Sequence, residues 1–281
     1  MEEIIRRFPN RNQFSIIENL GEVEHKKILI AFVVNKSSQH KKAVRHLLRK
    51  QVNVLSEKPM TLKLKDSIGL INLASKHKTL LFSSNILLYS NSLNIFSKSL
   101  SDVNDISEIN IKWHDGINEI RYGENKIIDK DISVLNDVAP HIVCILMLLL
   151  NQQLYFSSTQ VTYYRNREIH LKFLIGKIQV NLDLNQSAKQ RKRFIEISYD
   201  DRLKLRSSLD FTNELVPKIF PNNNFLNSVL SSPKSTTPLE SMLLSAIDCA
   251  RYKTHDSKLT TLTEVTSQLF QQKILDSILK V

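Results

Sequence analysis

The sequence predicts an α/β plus α+β protein. A partial parallel sheet with helical crossovers comes first, and a domain with an open, mainly antiparallel sheet flanked by helices follows. Three observations predict this. Ile28 to Val34 (ILIAFVV) is a continuous apolar run rich in β-branched residues, and it is followed by helical periodicity and further runs of the same kind. That is the pattern of strands buried on both faces. From Val161 onward apolar and polar residues alternate strictly, the pattern of strands with one covered face and one polar face. At 281 residues the chain suits one large domain or two medium ones, each with a real core.

After ILIAFVV comes the polar turn NKSSQH, then a helix over residues 41–50 with Ala43, Val44, Leu47 and Leu48 on one face. VNVLSEKP reads as a strand ending at Pro59. Asp66 is expected to cap the next helix, whose apolar stripe is Ile68, Leu70, Ile71, Leu73 and Ala74. Leu80, Leu81 and Phe82 open a third strand. Strands alternating with helices imply right-handed crossovers. Ligands gather at the carboxyl ends of such strands, where Asn35-Lys36, Glu57-Lys58 and Asn85 fall.

Ile109 to Trp113 is a further strand and His141 to Leu150 a buried helix. Ile169, Leu171, Phe173 and Ile175 then face one way, with Glu168, His170 and Lys172 facing the other. After Gly176 the alternation resumes at Ile178, Val180, Leu182 and Leu184. Phe194 to Ile197 and Leu203 to Leu205 extend the sheet, 222–238 is a loop, and helices at 238–252 and 261–279 finish the chain. The expected division is 1–95, the partial parallel-sheet domain; 96–260, the open-sheet domain; and 261–281, a helix packing back on the first domain.

Composition excludes several classes. The apolar fraction of 42% and charged fraction of 24% are those of a soluble globular protein. The net charge of +11 fits either an acidic partner such as nucleic acid or a lysine-rich, solvated surface. Lys and Arg are scattered, and neither aromatic stacking motifs nor a basic helix accompany them, so nucleic acid is not expected. Cys144 and Cys249 have no metal spacing and predict neither a metal site nor a disulfide. The longest apolar run, Ile142 to Leu150, is about half the ~20 residues of a membrane helix. MEEIIRRFPN lacks the apolar core of a signal peptide. The expectation is a cytoplasmic protein with no membrane segment.

Two motifs carry candidate chemistry. Pro59 restricts Lys58 to an extended conformation at a strand end, so its ammonium leaves in a defined direction; a solvated lysine is the plainer reading. In Asn136-Asp137-Val138-Ala139-Pro140-His141, a helix starting near Asp137 puts Asp137 and His141 on one face. A carboxylate beside an imidazole orients it for proton transfer near neutral pH. The plainer reading is an acid at a helix start beside a partly buried histidine.

In this order, EKP, then Asp-x-x-x-His, then an open sheet, the chain resembles the family of glucose–fructose oxidoreductase and inositol dehydrogenase (Gfo/Idh/MocA). AFVVNKSSQHKKAVRHLLRKQVNVLSEKPMTLKLKDSIGLINLASKHKTLLF is similar to the last segments of that family's Rossmann-type sheet, and NDVAPH to its Asp-x-x-x-His. RKRFIEISYDDRLKLRSSLDF resembles its late strands and PLESMLLSAIDCA its penultimate helix. The resemblance implies an NAD- or NADP-dependent oxidoreductase acting on a sugar, polyol or related small carbonyl or imine. It implies that Lys58 contacts substrate and the nicotinamide region, that His141 transfers the proton, and that Asp137 is a substrate or orienting contact. It places Asn35, Lys36, His40, Glu57, Lys58 and Asn85 along the cofactor, and it implies a homo-oligomer paired through the sheet face of Glu168, His170 and Lys172.

The front of the chain departs from the family. No G-x-G-x-x-G turn is present, although such a turn lets a pyrophosphate approach the backbone at a helix N-terminus. The expectation is a member lacking the N-terminal part of the Rossmann-type domain. It is either an oxidoreductase impaired by that loss or a catalytically silent relative serving as a binding or oligomerisation module.

Overall fold

A computed structural model describes residues 14–23, 28–101, 103, 105–121, 124–125, 132–165, 167–199, 205–213, 217–220 and 237–279. The first layer is a three-stranded parallel sheet in the order β1 (Ile30–Val33), β2 (Asn53–Ser56), β3 (Leu81–Ser83), with Phe32 beside Leu55 and Leu55 beside Phe82. The continuous apolar runs are explained by burial on both faces. Val33 and Val54 pack on Val44, Leu47 and Leu48 of α1 (Ser37–Arg49) and on Leu70 and Ala74 of α2 (Leu64–His77). Leu55 and Phe82 turn to the other side.

Two local expectations are corrected. The helix expected over 41–50 starts at Ser37, after an extended Lys36, so His40 lies within its first turns. Asp66 does not cap α2: the extended residue before that helix is Lys63, which places Asp66 in the first turn, where it pairs with Lys41 at 2.8 Å. A carboxylate there still complements the positive end of the helix. A further helix, α3 (Asn91–Ser99), was not anticipated; only Leu93 and Phe96 carry its buried apolar side.

The second layer is a seven-stranded sheet. Its strands are β4 (Ile106–Gly116), β7 (Phe156–Arg165), β8 (Glu168–Ile175), β9 (Ile178–Ala188), β10 (Lys192–Tyr199), β11 (Leu205–Asp210) and β12 (Lys218–Phe220). The spatial order is β12-β11-β10-β4-β9-β8-β7. Every pairing is antiparallel except β4 with β9, which is parallel. The short strands β5 (Ile120–Arg121) and β6 (Glu124–Asn125) form a separate ribbon. The first strand of this region begins at Phe156, ahead of Val161, with irregular pairing before Gln160, and Gly176 turns the β8–β9 hairpin with φ 59°, a conformation glycine adopts without penalty. Of the strand expected over 203–205, and of the loop expected over 222–238, most residues lie outside the described ones.

Helix α4 (Val134–Leu150) starts a full turn before Asp137, because the Ser133 side chain accepts the Asn136 N–H at 3.2 Å. Its buried residues, Ile142, Val143, Ile145 and Leu146 among them, meet Ile109, Ile111, Leu171, Val180, Leu182, Ile195 and Ile197 of the sheet. Each such aliphatic side chain contributes ~1.5–3 kcal/mol on burial. The opposite sheet face is polar. There Asn181 donates to Asn110 at 2.7 Å and Asp183 pairs with His114 at 2.7 Å.

Two C-terminal helices tie the layers together. α5 (Pro238–Tyr252), capped reciprocally by Thr237 and Glu240, covers Leu55 and Phe82 with Met242, Ala246 and Cys249. α6 (Leu262–Ile278) buries Phe270 and Ile274 in the large core, and from the same helix Gln268 donates to the Thr61 carbonyl at 2.8 Å. No helix among the described residues is long and apolar enough to cross a membrane.

Candidate active site

The carboxyl end of β2 runs directly into Glu57, Lys58 and Pro59, with a cis Lys58–Pro59 peptide. Lys58 reaches across the layers to the start of α4. Its ammonium donates to the Asp137 main-chain carbonyl at 2.8 Å and forms an ion pair with Asp137 Oδ1. The other carboxylate oxygen, Oδ2, accepts from Gln186 Nε2 at 2.6 Å. An ammonium carries three donors, and two of them lie on Asp137. Only 17% of the Lys58 side chain is exposed, so it is presented at the site rather than spread over the surface.

One turn along α4 from Asp137 stands His141. Its ring stacks on Trp113 with centroids 4.9 Å apart and planes 20° from parallel. The Arg193 guanidinium lies 3.8 Å from the same indole centroid, a favourable cation–π contact. Arg193 is 1% exposed and ion-paired with Asp115, itself 2% exposed, and it also donates to the His114 carbonyl. The two opposite charges share one buried pocket beneath the Trp113–His141 stack.

Glu264, at the start of α6, is 1% exposed and accepts from Gln268 Nε2 at 2.9 Å and from the Thr61 N–H. Burial pushes its carboxyl up to about 7, against the lowering effect of the Met60 and Thr61 N–H groups and of the Lys58 charge. Among the described residues no group of three or more His, Cys, Asp or Glu is arranged to hold a metal ion.

Residues 2–85 match the family described as "Oxidoreductase family, NAD-binding Rossmann fold" (GFO_IDH_MocA). Over these residues the chain is similar to the Gfo/Idh/MocA family. No curated protein sequence matches the chain. Solved structures share its fold at low identity. UDP-N-acetylglucosamine 3-dehydrogenase GnnA from Acidithiobacillus ferrooxidans is 13% identical with a TM-score of 0.75, over 94% of this chain and 82% of that one. The dehydrogenase MviM from Clostridium difficile is 17% identical with a TM-score of 0.67, over 98% and 86%. KijD10 from Actinomadura kijaniata, a 3-ketoreductase solved with TDP-benzene and NADP, is 12% identical with a TM-score of 0.65, over 84% and 73%.

In the structure the residues expected along a cofactor separate into two groups. Asn35 and Lys36 follow β1 as an exposed rim. His40, Glu57 and Asn85 are turned into the chain's own scaffold. The His40 ring nitrogens lie 2.8 Å from the carbonyls of Pro59 and of Asn35. Glu57 accepts from Ser84 Oγ at 2.8 Å and from the Lys58 N–H at 3.0 Å. Asn85 donates to the carbonyls of Lys258 and Thr260 at 3.0 and 2.9 Å, while its Oδ1 accepts from Thr263 at 2.8 Å. These contacts brace the strand ends at which Lys58 is presented.

No glycine turn that could cradle a dinucleotide's phosphates stands among the described residues. Of the glycines there, Gly69 lies inside α2, Gly116 ends β4, Gly176 turns a hairpin and Gly21 sits in a one-turn helix. None follows a strand of the parallel sheet at a helix start, the arrangement that cradles a pyrophosphate.

Sequence reasoning missed Gln186, Asp115, Arg193 and Glu264. The first three had a readable signal. Each takes the inward slot next to an apolar series: Val180, Leu182, Leu184, then Gln186; Ile109, Ile111, Trp113, then Asp115; and Arg193 ahead of Ile195 and Ile197. A polar residue in a buried register position needs a partner, and at one end of this sheet three such residues lie on the neighbouring strands β9, β4 and β10.

Proposed function

We propose that the chain is a sugar or polyol oxidoreductase whose own residues manage the proton. The observation that carries this reading is the Lys58–Asp137 ion pair, formed across 79 residues, with Gln186 on the second carboxylate oxygen. Bound NAD or NADP would exchange the hydride. Lys58 directs its remaining N–H at the reacting oxygen of the substrate. His141, its ring held flat against Trp113, exchanges the hydroxyl proton, and Asp137 orders Lys58 and the start of α4. The family match over residues 2–85 and the structural likeness to a UDP-N-acetylglucosamine 3-dehydrogenase and to a 3-ketoreductase support a carbohydrate-like substrate.

The test is reduction of NAD or NADP by a panel of hexoses and inositols, followed by nicotinamide absorbance at cofactor concentrations up to ~10 mM. Turnover that disappears in Lys58→Met is expected. The affinity of the chain for NAD and NADP is measured alongside by calorimetry. Absence of turnover across the whole panel would favour the second reading, a catalytically silent binding or oligomerisation module.

The same reading includes a homo-oligomer formed through the polar sheet face, where Glu168, His170, Lys172 and Asp183 present both signs of charge. A monomer by light scattering at micromolar concentration would exclude it. It also keeps the division into 1–95, 96–260 and 261–281. The separate cores of the small and large sheets and the position of α6 against both support that division.

A further inference from the structure

We propose that Gln186 reads a hydroxyl group of the substrate close to the reacting carbon, so that it sets the specificity of the site. The inference rests on the sugar reading above. Gln186 is 3% exposed and ends the inward series of β9. Its Nε2 donates to Asp137 Oδ2 at 2.6 Å. This contact fixes the amide orientation, because the reversed amide would set two acceptors together. The Oε1 atom is buried and has no hydrogen-bond partner among the described residues.

A buried carbonyl left unpaired costs ~1–3 kcal/mol, and it is satisfied only by a donor. The donor must come from what fills the site. Lys58 already directs two of its N–H groups at Asp137. Arg193 is on Asp115 and Trp113. A substrate hydroxyl meets the need and a carboxylate or phosphate does not, since both are acceptors at the pH where the enzyme works. Within the amide, Oε1 stands next to the nitrogen that touches Asp137, so the hydroxyl it accepts is a near neighbour of the oxygen that Lys58 holds. Sites built to hydrogen-bond a hydroxyl strongly reject analogues that lack it.

The experiment uses the full chain, with and without NADH, and saturation-transfer NMR with D-glucose, D-mannose, D-galactose and myo-inositol beside the monodeoxy analogues of each. The wild type is expected to bind at least one parent sugar and to lose at least tenfold in affinity for the analogue missing one particular hydroxyl. In Gln186→Met, of similar shape but without the acceptor, that discrimination is expected to fall within twofold. If every deoxy analogue binds the wild type as its parent does, the inference is overturned without any variant. If discrimination persists undiminished in a Gln186→Met protein that melts like wild type, it is overturned as well, while the sugar reading stands. If no parent sugar binds, the sugar reading itself fails and takes the inference with it.

Discussion

The small parallel sheet and the large mixed sheet present polar chemistry in opposite ways. In the small sheet the polar residues lie past the strand ends: Asn35 and Lys36 after β1, Glu57 and Lys58 after β2, Ser84 and Asn85 after β3. Strand-end loops have no register to hold them, so side-chain bonds do. His40, Glu57 and Asn85 are used in that way, which leaves Lys58 to project. In the large sheet the polar residues sit inside the register, in slots facing the core. The sheet itself positions them, but their burial obliges them to pair, as Arg193 does with Asp115. The ion pair of Lys58 and Asp137 bridges the two regimes, with a loop-borne cation on one side and a helix-borne carboxylate clamped from the sheet on the other. The lesson is that one region supplies reach and the other supplies rigidity.

The sharpest way to break this comparison is at the bridge. With cofactor bound, His141→Ala is expected to lower kcat by ~10²–10⁴-fold, the usual contribution of positioned acid–base catalysis, leaving cofactor affinity nearly unchanged. Lys58→Met is expected to damage kcat and substrate binding together. If His141→Ala retains more than about a third of wild-type kcat, the histidine only packs on Trp113.

The rigidity of the large sheet is tested next. Arg193→Met alone leaves Asp115 charged and buried and is expected to cost ~3–5 kcal/mol in denaturant unfolding; the double variant Arg193→Met, Asp115→Leu should recover most of it. Equal losses in the single and double variants would mean that the guanidinium acts through packing on Trp113 instead of through charge.

Glu264 sharpens the comparison from the helix that joins both layers. Its carboxyl, near 4.5 when exposed and pushed up to about 7 by burial, binds its proton more tightly in the folded state. The stability it adds is complete below about pH 4.5 and is lost as the pH rises through about 7. The integrated change is ~3 kcal/mol. Glu264→Gln should flatten that slope in melting curves between pH 4.5 and 8, and an unchanged slope would place its origin elsewhere.

The smallest effect is expected on the outer face of the large sheet. Lys112, half exposed and 3.5 Å from Asp183, should cost under ~1 kcal/mol when replaced by alanine. A larger loss at micromolar concentration, accompanied by a fall in mass by light scattering, would show that this face is covered by a second copy.

The sequence by itself determined the two kinds of sheet, because the periods that distinguish them are local. A strand buried twice must be apolar at every position and a strand buried once at every second, and ILIAFVV and IHLKFLIGKIQVNLDL state this directly. It also singled out Lys58, Asp137 and His141 as candidates, through short motifs whose order resembles a known family. It misplaced the start of α2, which lies at Leu64 with Asp66 in the first turn, and it did not foresee α3, where caps and sparse apolar residues decide. Only the tertiary structure inserted β4 between β10 and β9, brought Lys58 and Gln186 to one carboxylate from 79 and 49 residues away, and turned His40, Glu57 and Asn85 toward the chain's own carbonyls and hydroxyls. Dihedral preference and periodicity act over a few residues. Strand order and the pairing of buried polar groups are settled by which faces must be covered and which buried donors and acceptors must be satisfied across the whole molecule.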